Sequence, residues 1–209
     1  MSAAGLILAA GESRRMGSPK ALLRYRGETF LDTLIGLFTG PCGTVTVVLG
    51  AGAEEIRARV MRPAAFVVNP RWRLGQTTSL QCGLGVISGA SSGAISGDIS
   101  EGSGAVGGVL FTLVDHPAVS PSTIAALLAP ASGSRPLLRV PRFGLRRGHP
   151  IWFSRELIPE FLALPETGAA RDVVHRHAAE TEFLDLDDSG ILADIDDAEA
   201  YRKLIGAGA

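Results

Sequence analysis

The sequence contains little cysteine. Cys42 and Cys82 stand far apart, with no CxxC pair and no spacing typical of zinc ligands. This pattern indicates neither a disulfide framework nor a structural metal. We therefore predict two reduced thiols in the core of the protein.

Excess charge of one sign and long apolar runs are also lacking. The chain has 20 Lys and Arg residues against 21 Asp and Glu residues, a formal net charge of −1. That balance gives no general field for a nucleic-acid polymer or an anionic membrane, so any bound phosphate must be held locally. No apolar run is long enough to span a membrane, and the N-terminus lacks the pattern of a signal peptide. We expect a cytoplasmic enzyme that binds neither nucleic acid nor membrane.

Apolar residues, in contrast, are abundant enough for a layered core. With 209 residues and 46% hydrophobic content, one domain spanning 1–209 is the expectation. Apolar, β-rich runs predict strands at 5–10, 44–49, 65–68, 109–114, 137–140, 150–153 and 182–186. Helix-period segments predict helices at 29–38, 53–61, 77–87, 121–128, 156–164, 169–178 and 198–205. This alternation predicts an α/β fold with a mostly parallel sheet, whose ligands bind beyond the carboxyl ends of the strands.

The segment 88–108 consists almost entirely of Gly, Ser and Ala. It has too little apolar bulk to pack, so we predict a flexible surface insertion between a helix and the fourth strand. Gly102, Gly104 and Gly107 spell GxGxxG, but a dinucleotide-binding fingerprint follows a strand and opens a helix, whereas these glycines precede a strand. We interpret this match as chance.

The run LILAAGESRRMGSPKALL, residues 6–23, joins a short apolar strand to a small, basic loop. It matches neither a Walker loop nor a GxG turn. Backbone N–H groups of a tight loop after Gly11 would form an anion-binding concavity. Arg15 and Lys20 add positive charge, and Ser13 adds a hydroxyl. The pattern favours a triphosphate site, and the alternative is a solvated basic turn.

Carboxylates follow two later apolar segments. Asp115 comes directly after VLFTLV, so its side chain is expected at the carboxyl end of a central strand, where it suits Mg²⁺. The alternative is a helix N-cap, although Ser120 before Pro121 is the better cap. Asp194 and Asp196 alternate by two and share one face of an extended segment, and the alternative for this pair is an acidic helix start.

Five ordered segments resemble one known family. LILAAGESRRMGSPKALL resembles the LAAGxSxRMGxxKxLL signature of molybdopterin-type nucleotidyltransferases, in the cytidylyltransferase branch, since the guanylyltransferases carry LAGG. NPRWRLGQTTSLQCGL, LVDHP and GHPIWF resemble the NxxWxxGxxxSLxxGL, LxDxP and GHPxxF segments. LADIDDAEAYRKL resembles the closing LxDIDTPEDL. The resemblance extends over nearly the whole chain apart from 88–108.

The resemblance implies a fold, a reaction and partners. The fold is a Rossmann-like three-layer α/β/α nucleotidyltransferase domain with a mostly parallel mixed sheet. In the implied reaction, an acceptor phosphate oxygen attacks the α-phosphorus of CTP and releases pyrophosphate, with Mg²⁺ as cofactor. The implied acceptor is molybdopterin, the precursor of the molybdenum cofactor, and a client molybdoenzyme is a further expected partner.

The same resemblance assigns residues to this reaction. Catalytic roles fall to Lys20, Arg15 and Asp115, and the metal ligands are Asp115 and Asp194. The nucleotide is assigned to Leu8, Ala9, Ala10, Gly11, Ser13, Lys20, Asn69, Gly75, Thr78 and Ser79. The acceptor is assigned to Arg147, Gly148, His149 and Arg171.

Alternatives stand beside several of these assignments. Residues 75–79 also fit a plain helix start rich in Ser and Thr, and Arg146 and Arg147, expected in a turn between two short strands, also fit surface charge. His116 is expected to support Asp115. His175 and His177 lie two apart on a predicted helix and face different sides, which is poor metal-ligand spacing.

The chain departs from the family pattern at two places. Asp197 and Ala198 replace Thr and Pro in the closing motif, and the GAR triplet appears as GAAR at 168–171. These departures weaken the acceptor assignment more than the nucleotide assignment.

Rival functions remain open on the sequence. One is transfer of CMP or GMP to another small phosphorylated acceptor, such as a sugar phosphate, methylerythritol phosphate or a phospholactate. Another is a nicotinamide-dependent oxidoreductase, although the second strand runs into 50–52, Gly-Ala-Gly, where a ribose-binding acid is expected. A third is a non-catalytic cofactor carrier, which would not need carboxylates at both Asp115 and Asp194.

Overall fold

A computed structural model describes residues 2–90, 95–96, 106–130, 133 and 135–206. The strands in these ranges are β1 Ala3–Ala9, β2 Arg24–Tyr25, β3 Glu28–Thr29, β4 Thr44–Leu49, β5 Ala65–Val68, β6 Ile95–Ser96, β7 Gly108–Leu113, β8 Leu138–Phe143, β9 Arg146–Arg147, β10 Ile151–Ser154 and β11 Thr181–Asp185. The α-helices are α1 Phe30–Phe38, α2 Ala53–Arg59, α3 Gln76–Ile87, α4 Pro121–Leu128, α5 Ile158–Leu162, α6 Ala170–Arg176 and α7 Ala198–Gly206. No helix in the described ranges is both long and apolar enough to cross a membrane.

One mixed sheet organises the described part of the chain. Its order is β11-β8-β10-β7-β1-β4-β5-β6, with β9 paired to β8. β1 runs parallel to β4 and β7, β4 to β5, and β8 to β11, whereas β10, β6 and β9 pair antiparallel. The predicted mostly parallel α/β sheet is thereby confirmed.

The central strand β1 is buried on both faces. Ile7 belongs to the apolar cluster that includes Phe30 and Leu34 of α1. Its neighbour Leu8 belongs to the opposite cluster, which includes Leu84 of α3. Because successive strand side chains point to opposite faces, an unbroken apolar run such as GLILAA fits a strand covered by helices on both sides.

The strand order also determines where a ligand binds. From β1 the chain crosses to β4 on one side, and it later returns to β7 on the other side of β1. Crevices open where crossovers leave a sheet in opposite directions, at the carboxyl ends of the strands. The loop after Ala9 and the segment after Leu113 both begin at this point.

Most predicted elements agree with the structure, and three of them, at 44–49, 65–68 and 121–128, have the same bounds. The predicted helix at 156–164 instead divides into a 3-10 turn, Arg155–Leu157, and the short helix α5. The β2–β3 hairpin was not predicted. Arg26 and Gly27 both have positive φ, as a two-residue type I′ turn requires.

Most of the predicted insertion, including Gly102 and Gly104, lies outside the described residues. Ile95–Ser96 within it form β6, which pairs antiparallel with Phe66 and Val67 of β5. These two residues of the predicted insertion therefore take part in the sheet. An edge strand has unpaired backbone groups, and a passing segment can pair with them even when it lacks apolar bulk.

A C-terminal segment, 188–196, packs against the loop that follows β7. The backbone N–H of Ile195 donates to the carbonyl of Asp115 at 3.1 Å. Asp188 is buried and accepts hydrogen bonds from the Ser120 N–H at 2.9 Å and the Thr123 hydroxyl at 2.6 Å. These bonds attach the end of the chain to the carboxyl edge of the sheet.

Gly190 is required for this close approach, because a Cβ there would overlap the carbonyl of Ala118. We predict that Gly190→Ala destabilises the protein by about 1–3 kcal/mol, as overpacking does in a filled site. Urea denaturation measures the change. Gly43→Ala is the control, since a Cβ at Gly43 meets nothing within 4 Å, and it should shift stability by no more than about 0.5 kcal/mol. Equal stability of both variants would contradict the close packing of this segment.

Candidate functional site

A cavity of about 720 Å³ opens at the carboxyl ends of β1 and β7. Most of the residues predicted to bind a nucleotide line it: Leu8, Ala9, Ala10, Gly11, Ser13, Lys20, Gly75 and Ser79. Arg15, Asp115 and Asp196 line it as well. Residues that lie far apart in the sequence therefore meet at the place where the strand order predicts a ligand.

The loop after β1 is closed by its own hydroxyl. Ser13 and Gly17 both adopt left-handed backbone conformations, with φ of 53° and 68°, on either side of a short 3-10 turn. The backbone N–H of Lys20 donates to Ser13 Oγ at 3.0 Å. This bond directs the chain back towards the sheet and places the Lys20 side chain inside the cavity.

Lys20 forms ion pairs with two carboxylates. Its Nζ lies 2.6 Å from Asp196 Oδ1 and 3.2 Å from Asp115 Oδ2, and its side chain is only 12% exposed. Burial acts to lower the pKa of Lys20, but the hydrogen bonds and charges of the two carboxylates outweigh it and raise that pKa. The ammonium therefore stays charged inside the cavity.

Arg15 forms a second ion pair with Asp196, with 3.0 Å between Arg15 NH2 and Asp196 Oδ2. The hydrogen bond from Lys20 is the main influence that lowers the pKa of Asp196, with smaller contributions from Arg15. Arg15 is well exposed and its pair is screened by water, so the Lys20 pair dominates this contact.

Three groups near Lys20 have the geometry of a cation site. Ligand atoms of Asp115, His116 and Asp194 lie within 4.8 Å of one another. Asp115 Oδ1 is buried and accepts no hydrogen bond from the described residues. Burial, followed by the charges of Asp115 and Asp196, raises the pKa of Asp194. A divalent cation would satisfy the orphaned oxygen and relieve this repulsion, and the two carboxylates suit a hard ion such as Mg²⁺.

The ring of His116, a member of this cluster, lies against the His149 ring, with centroids 4.9 Å apart. Burial lowers the pKa of each ring to about 4, with a smaller lowering by Lys20 at His116 and by His116 at His149. Both rings are therefore neutral near pH 7, and they add no positive charge to the cation site.

Two predicted nucleotide residues do not line the cavity. Asn69 and Thr78 are buried, and Asn69 Nδ2 donates to Thr78 Oγ1 and to Ser79 Oγ, both at 3.0 Å. They connect the end of β5 to the first turn of α3. Their position supports the cavity wall from behind, whereas Ser79 itself reaches the cavity.

The predicted acceptor residues lie outside the lining of this cavity. Arg146 and Arg147 form strand β9 and do not lie in the predicted turn. The turn lies before them in the sequence, at Gly144, whose φ is 59°. The Arg147 guanidinium lies over the Phe183 ring at 4.6 Å. Arg171 is exposed on α6, and Gly148 packs against the Ile191 carbonyl.

The remaining singled-out side chains have structural surroundings. Cys42 is a buried free thiol whose pKa burial raises to about 12, and Cys82 is a half-buried free thiol. His177 Nε2 lies 2.8 Å from Glu160 Oε1, whereas His175 is exposed. Ser120 caps α4, so Asp115 is not its N-cap.

Sequence reasoning missed one prominent cavity residue. Trp72 lines the cavity opposite Gly50, where a Cβ would come within 2.7 Å of Trp72 Cβ. Arg73 lies over the Trp72 ring at 4.6 Å. Trp72 belongs to the segment NPRWRLGQTTSLQCGL, which resembles a family segment, so the sequence contained a signal for this residue. No role was predicted for it.

Comparison with known proteins adds a family to this geometry. The model of the MobA-like NTP transferase domain matches residues 5–181. A nicotine blue oxidoreductase from Paenarthrobacter nicotinovorans is 32% identical over 211 residues, covering 96% of this chain and 95% of that protein. A probable molybdenum cofactor guanylyltransferase from Mycobacterium avium is 42% identical over 66 residues, 30% of this chain and 34% of that protein. The crystal structure of Rv0371c from Mycobacterium tuberculosis superposes with a TM-score of 0.77 at 26% identity, covering 99% of both chains.

The orphaned oxygen of Asp115 leads to a prediction about metal binding. Asp115→Asn should weaken the binding of Mn²⁺, used as a probe, by about tenfold or more, since it removes a charged oxygen ligand. Isothermal titration of the protein with Mn²⁺ alone measures the affinity. Asp187→Asn, at an exposed carboxylate outside the cavity, is the control. Equal Mn²⁺ affinity in the two variants would remove Asp115 from the metal site.

Proposed function

We propose a function from one premise: this chain belongs to the MobA-like NTP transferase family, whose domain model matches residues 5–181. It is a nucleotidyltransferase in that family. The proposed reaction transfers CMP from CTP to the phosphate of molybdopterin and releases pyrophosphate, with Mg²⁺ as the metal. We also propose that residues 1–209 act as one domain in the cytoplasm.

The observation that carries the proposal is the meeting of Lys20 with Asp115 in one cavity, 3.2 Å apart. Nucleotidyl transfer needs little covalent chemistry from the protein, but it needs the reacting groups aligned and their charge neutralised. In the proposed complex, the loop of 10–20 surrounds the triphosphate, and Lys20 and Arg15 bind its oxygens. Asp115 and Asp194 would hold Mg²⁺, which supplies further neutralisation of the phosphates when bound.

The acceptor is proposed to use its own phosphate as the nucleophile. A phosphate is already ionised at neutral pH, so no general base has to remove a proton from it. The neutral state of His116 and His149 is consistent with this requirement. We propose that the acceptor approaches from the side of His149 and Gly148, with Arg147 and Arg171 outside the cavity binding its distal groups. Delivery of the product to a client molybdoenzyme is part of the same proposal.

The nucleobase needs an argument of its own, because similar proteins differ in it. The Mycobacterium avium relative is named a guanylyltransferase. Ala10 lines the cavity here, at the position where the LAGG signature has glycine. Its methyl group takes space beside the loop and favours the smaller pyrimidine, which supports CTP over GTP. Small phosphorylated acceptors other than molybdopterin remain alternatives within the same reaction.

A second candidate function comes from the name of a full-length relative, nicotine blue oxidoreductase. A nicotinamide-dependent oxidoreductase would be expected to carry a glycine fingerprint after β1 and an acid after the second strand of the parallel sheet. This chain has Ala10-Gly11-Glu12-Ser13 after β1 and Gly50 after β4. The functional test therefore includes a second assay. It measures whether the protein oxidises NADH or NADPH with a quinone-type dye as acceptor.

Lys20 provides the first prediction about activity. Lys20→Ala should lower turnover by the equivalent of about 2–4 kcal/mol, because it removes a charge-assisted contact to the triphosphate. Pyrophosphate release measures turnover, and circular dichroism checks the fold. Lys203→Ala is the matched control at an exposed lysine of α7. Unchanged turnover in a folded Lys20→Ala protein would remove Lys20 from the reaction.

Ala10 provides the second prediction. Pyrophosphate release with the four nucleoside triphosphates and a panel of phosphorylated acceptors should show preference for CTP, and Ala10→Gly should relax this preference without reversing it. One methyl group discriminates by only about 1–3 kcal/mol, so other contacts near 75–79 must contribute. Equal use of CTP and GTP by the native chain would contradict the cytidylyltransferase assignment and would leave the metal assignment of Asp115 standing.

A further inference from the structure

The two aspartates of the closing motif stand in different surroundings. Asp194 belongs to the cation cluster with Asp115 and His116. Asp196 lies outside that cluster and lines the cavity beside the loop that follows β1. The alternation of the two residues in sequence therefore does not give them the same chemical task.

Both carboxylate oxygens of Asp196 are engaged with cations. Oδ1 accepts from Lys20 Nζ at 2.6 Å, and Oδ2 accepts from Arg15 NH2 at 3.0 Å. A carboxylate that bridges an ammonium and a guanidinium presents its two oxygens much as a phosphate does, since both anions accept charge-assisted hydrogen bonds from the same donors. Asp196 thus contacts the two donors that the proposed reaction needs for the triphosphate.

We propose that Asp196 is a positioning residue that holds Lys20 and Arg15 in place until a nucleotide phosphate displaces it. This inference rests on the proposed function, because the displacing ligand is the triphosphate. It gives the two aspartates of the motif different roles: Asp194 stays the proposed metal ligand, and Asp196 positions the two cations.

The charge balance of the site supports this division. Close to Asp196, the carboxylates Asp115 and Asp194 accompany the two cations Arg15 and Lys20. The cavity lining further contains Glu12, Arg14 and Arg73. A divalent cation held by Asp115 and Asp194 would offset the charge of these two carboxylates, and the phosphates could then compete with Asp196 for Lys20. The side chain of Asp196 is 45% exposed, which leaves it room to turn away into water.

The alternative role, Asp196 as a metal ligand, fits the distances less well. Among the described residues, the cation cluster contains Asp194 and does not contain Asp196. A metal on Asp196 would also compete with Lys20, whose ammonium lies 2.6 Å from one oxygen of that carboxylate. Asp115 Oδ1, by contrast, is buried with no hydrogen-bond donor in the described part of the chain.

Two asparagine variants test the division through binding alone. Mn²⁺ titrated into the protein without nucleotide should bind Asp196→Asn within about twofold of the native affinity, and Asp194→Asn about tenfold more weakly or worse. CTP titrated in EDTA should bind Asp196→Asn about three- to tenfold more tightly than the native chain, because a competing negative charge is gone. Asp196→Glu, which keeps the charge, should bind CTP within about twofold of the native chain.

Dependence on Lys20 separates this effect from a general loss of negative charge. In a Lys20→Met background, Asp196→Asn should gain about twofold or less in CTP affinity, since the remaining partner, Arg15, is exposed and screened. The same gain with and without Lys20 would overturn the proposal. Urea midpoints check that each variant is folded, and Asp187→Asn is the control for a carboxylate outside the site.

The possible failures are distinguishable. If Asp196→Asn loses Mn²⁺ as strongly as Asp194→Asn, or gains no CTP affinity while the native chain still binds CTP and releases pyrophosphate, the inference is wrong and the proposed function stands. If the native chain binds no nucleoside triphosphate with or without Mn²⁺, the proposed function fails and the inference fails with it.

Discussion

The ion pairs of Lys20 with Asp115 and Asp196 are the contact on which the site depends. They join the loop after the first strand to residues 95 and 176 positions later in the chain. A buried ammonium is costly unless it is paired, so this contact forms only when all three segments are in place. Other contacts position the three segments. The Ser13 hydroxyl closes the loop, Asp115 follows the carboxyl end of β7, and the Ile195 N–H donates to the Asp115 carbonyl at 3.1 Å. The site is therefore a product of the sheet order and of the attached C-terminal segment together.

This arrangement is consistent with the proposed metal–triphosphate complex. Lys20 and Arg15 pair with Asp196, and Asp115, which has one buried oxygen that accepts no hydrogen bond from the described residues, belongs to the cluster with Asp194. The neutral rings of His116 and His149 add no positive charge there. Opposite charges held apart at fixed positions are what phosphoryl chemistry requires, since the enzyme stabilises charge that is already present on the substrate.

The sequence alone predicted the alternation of strands and helices, because apolar periodicity and turn residues are local signals, whereas the assignment of residues to the nucleotide came from the family resemblance. It did not predict the β2–β3 hairpin or the pairing of Ile95–Ser96, since these short pairs depend on a turn conformation and on an open sheet edge. It could not separate Ser79, which lines the cavity, from Asn69 and Thr78, which lie behind it, because burial is decided by tertiary packing. The different surroundings of Asp194 and Asp196 arise in the same way, from partners far away in the chain.

The measurement that tests the central claim most directly follows the phosphates of CTP. The protein is incubated with Mg²⁺, molybdopterin and CTP labelled at either the α- or the γ-phosphate. The account predicts that the α-label appears on the acceptor and that the γ-label leaves as pyrophosphate, with both transfers lost in Lys20→Ala. Transfer of the γ-label to the acceptor, or no movement of label with any phosphorylated acceptor while NADH is oxidised, would contradict it.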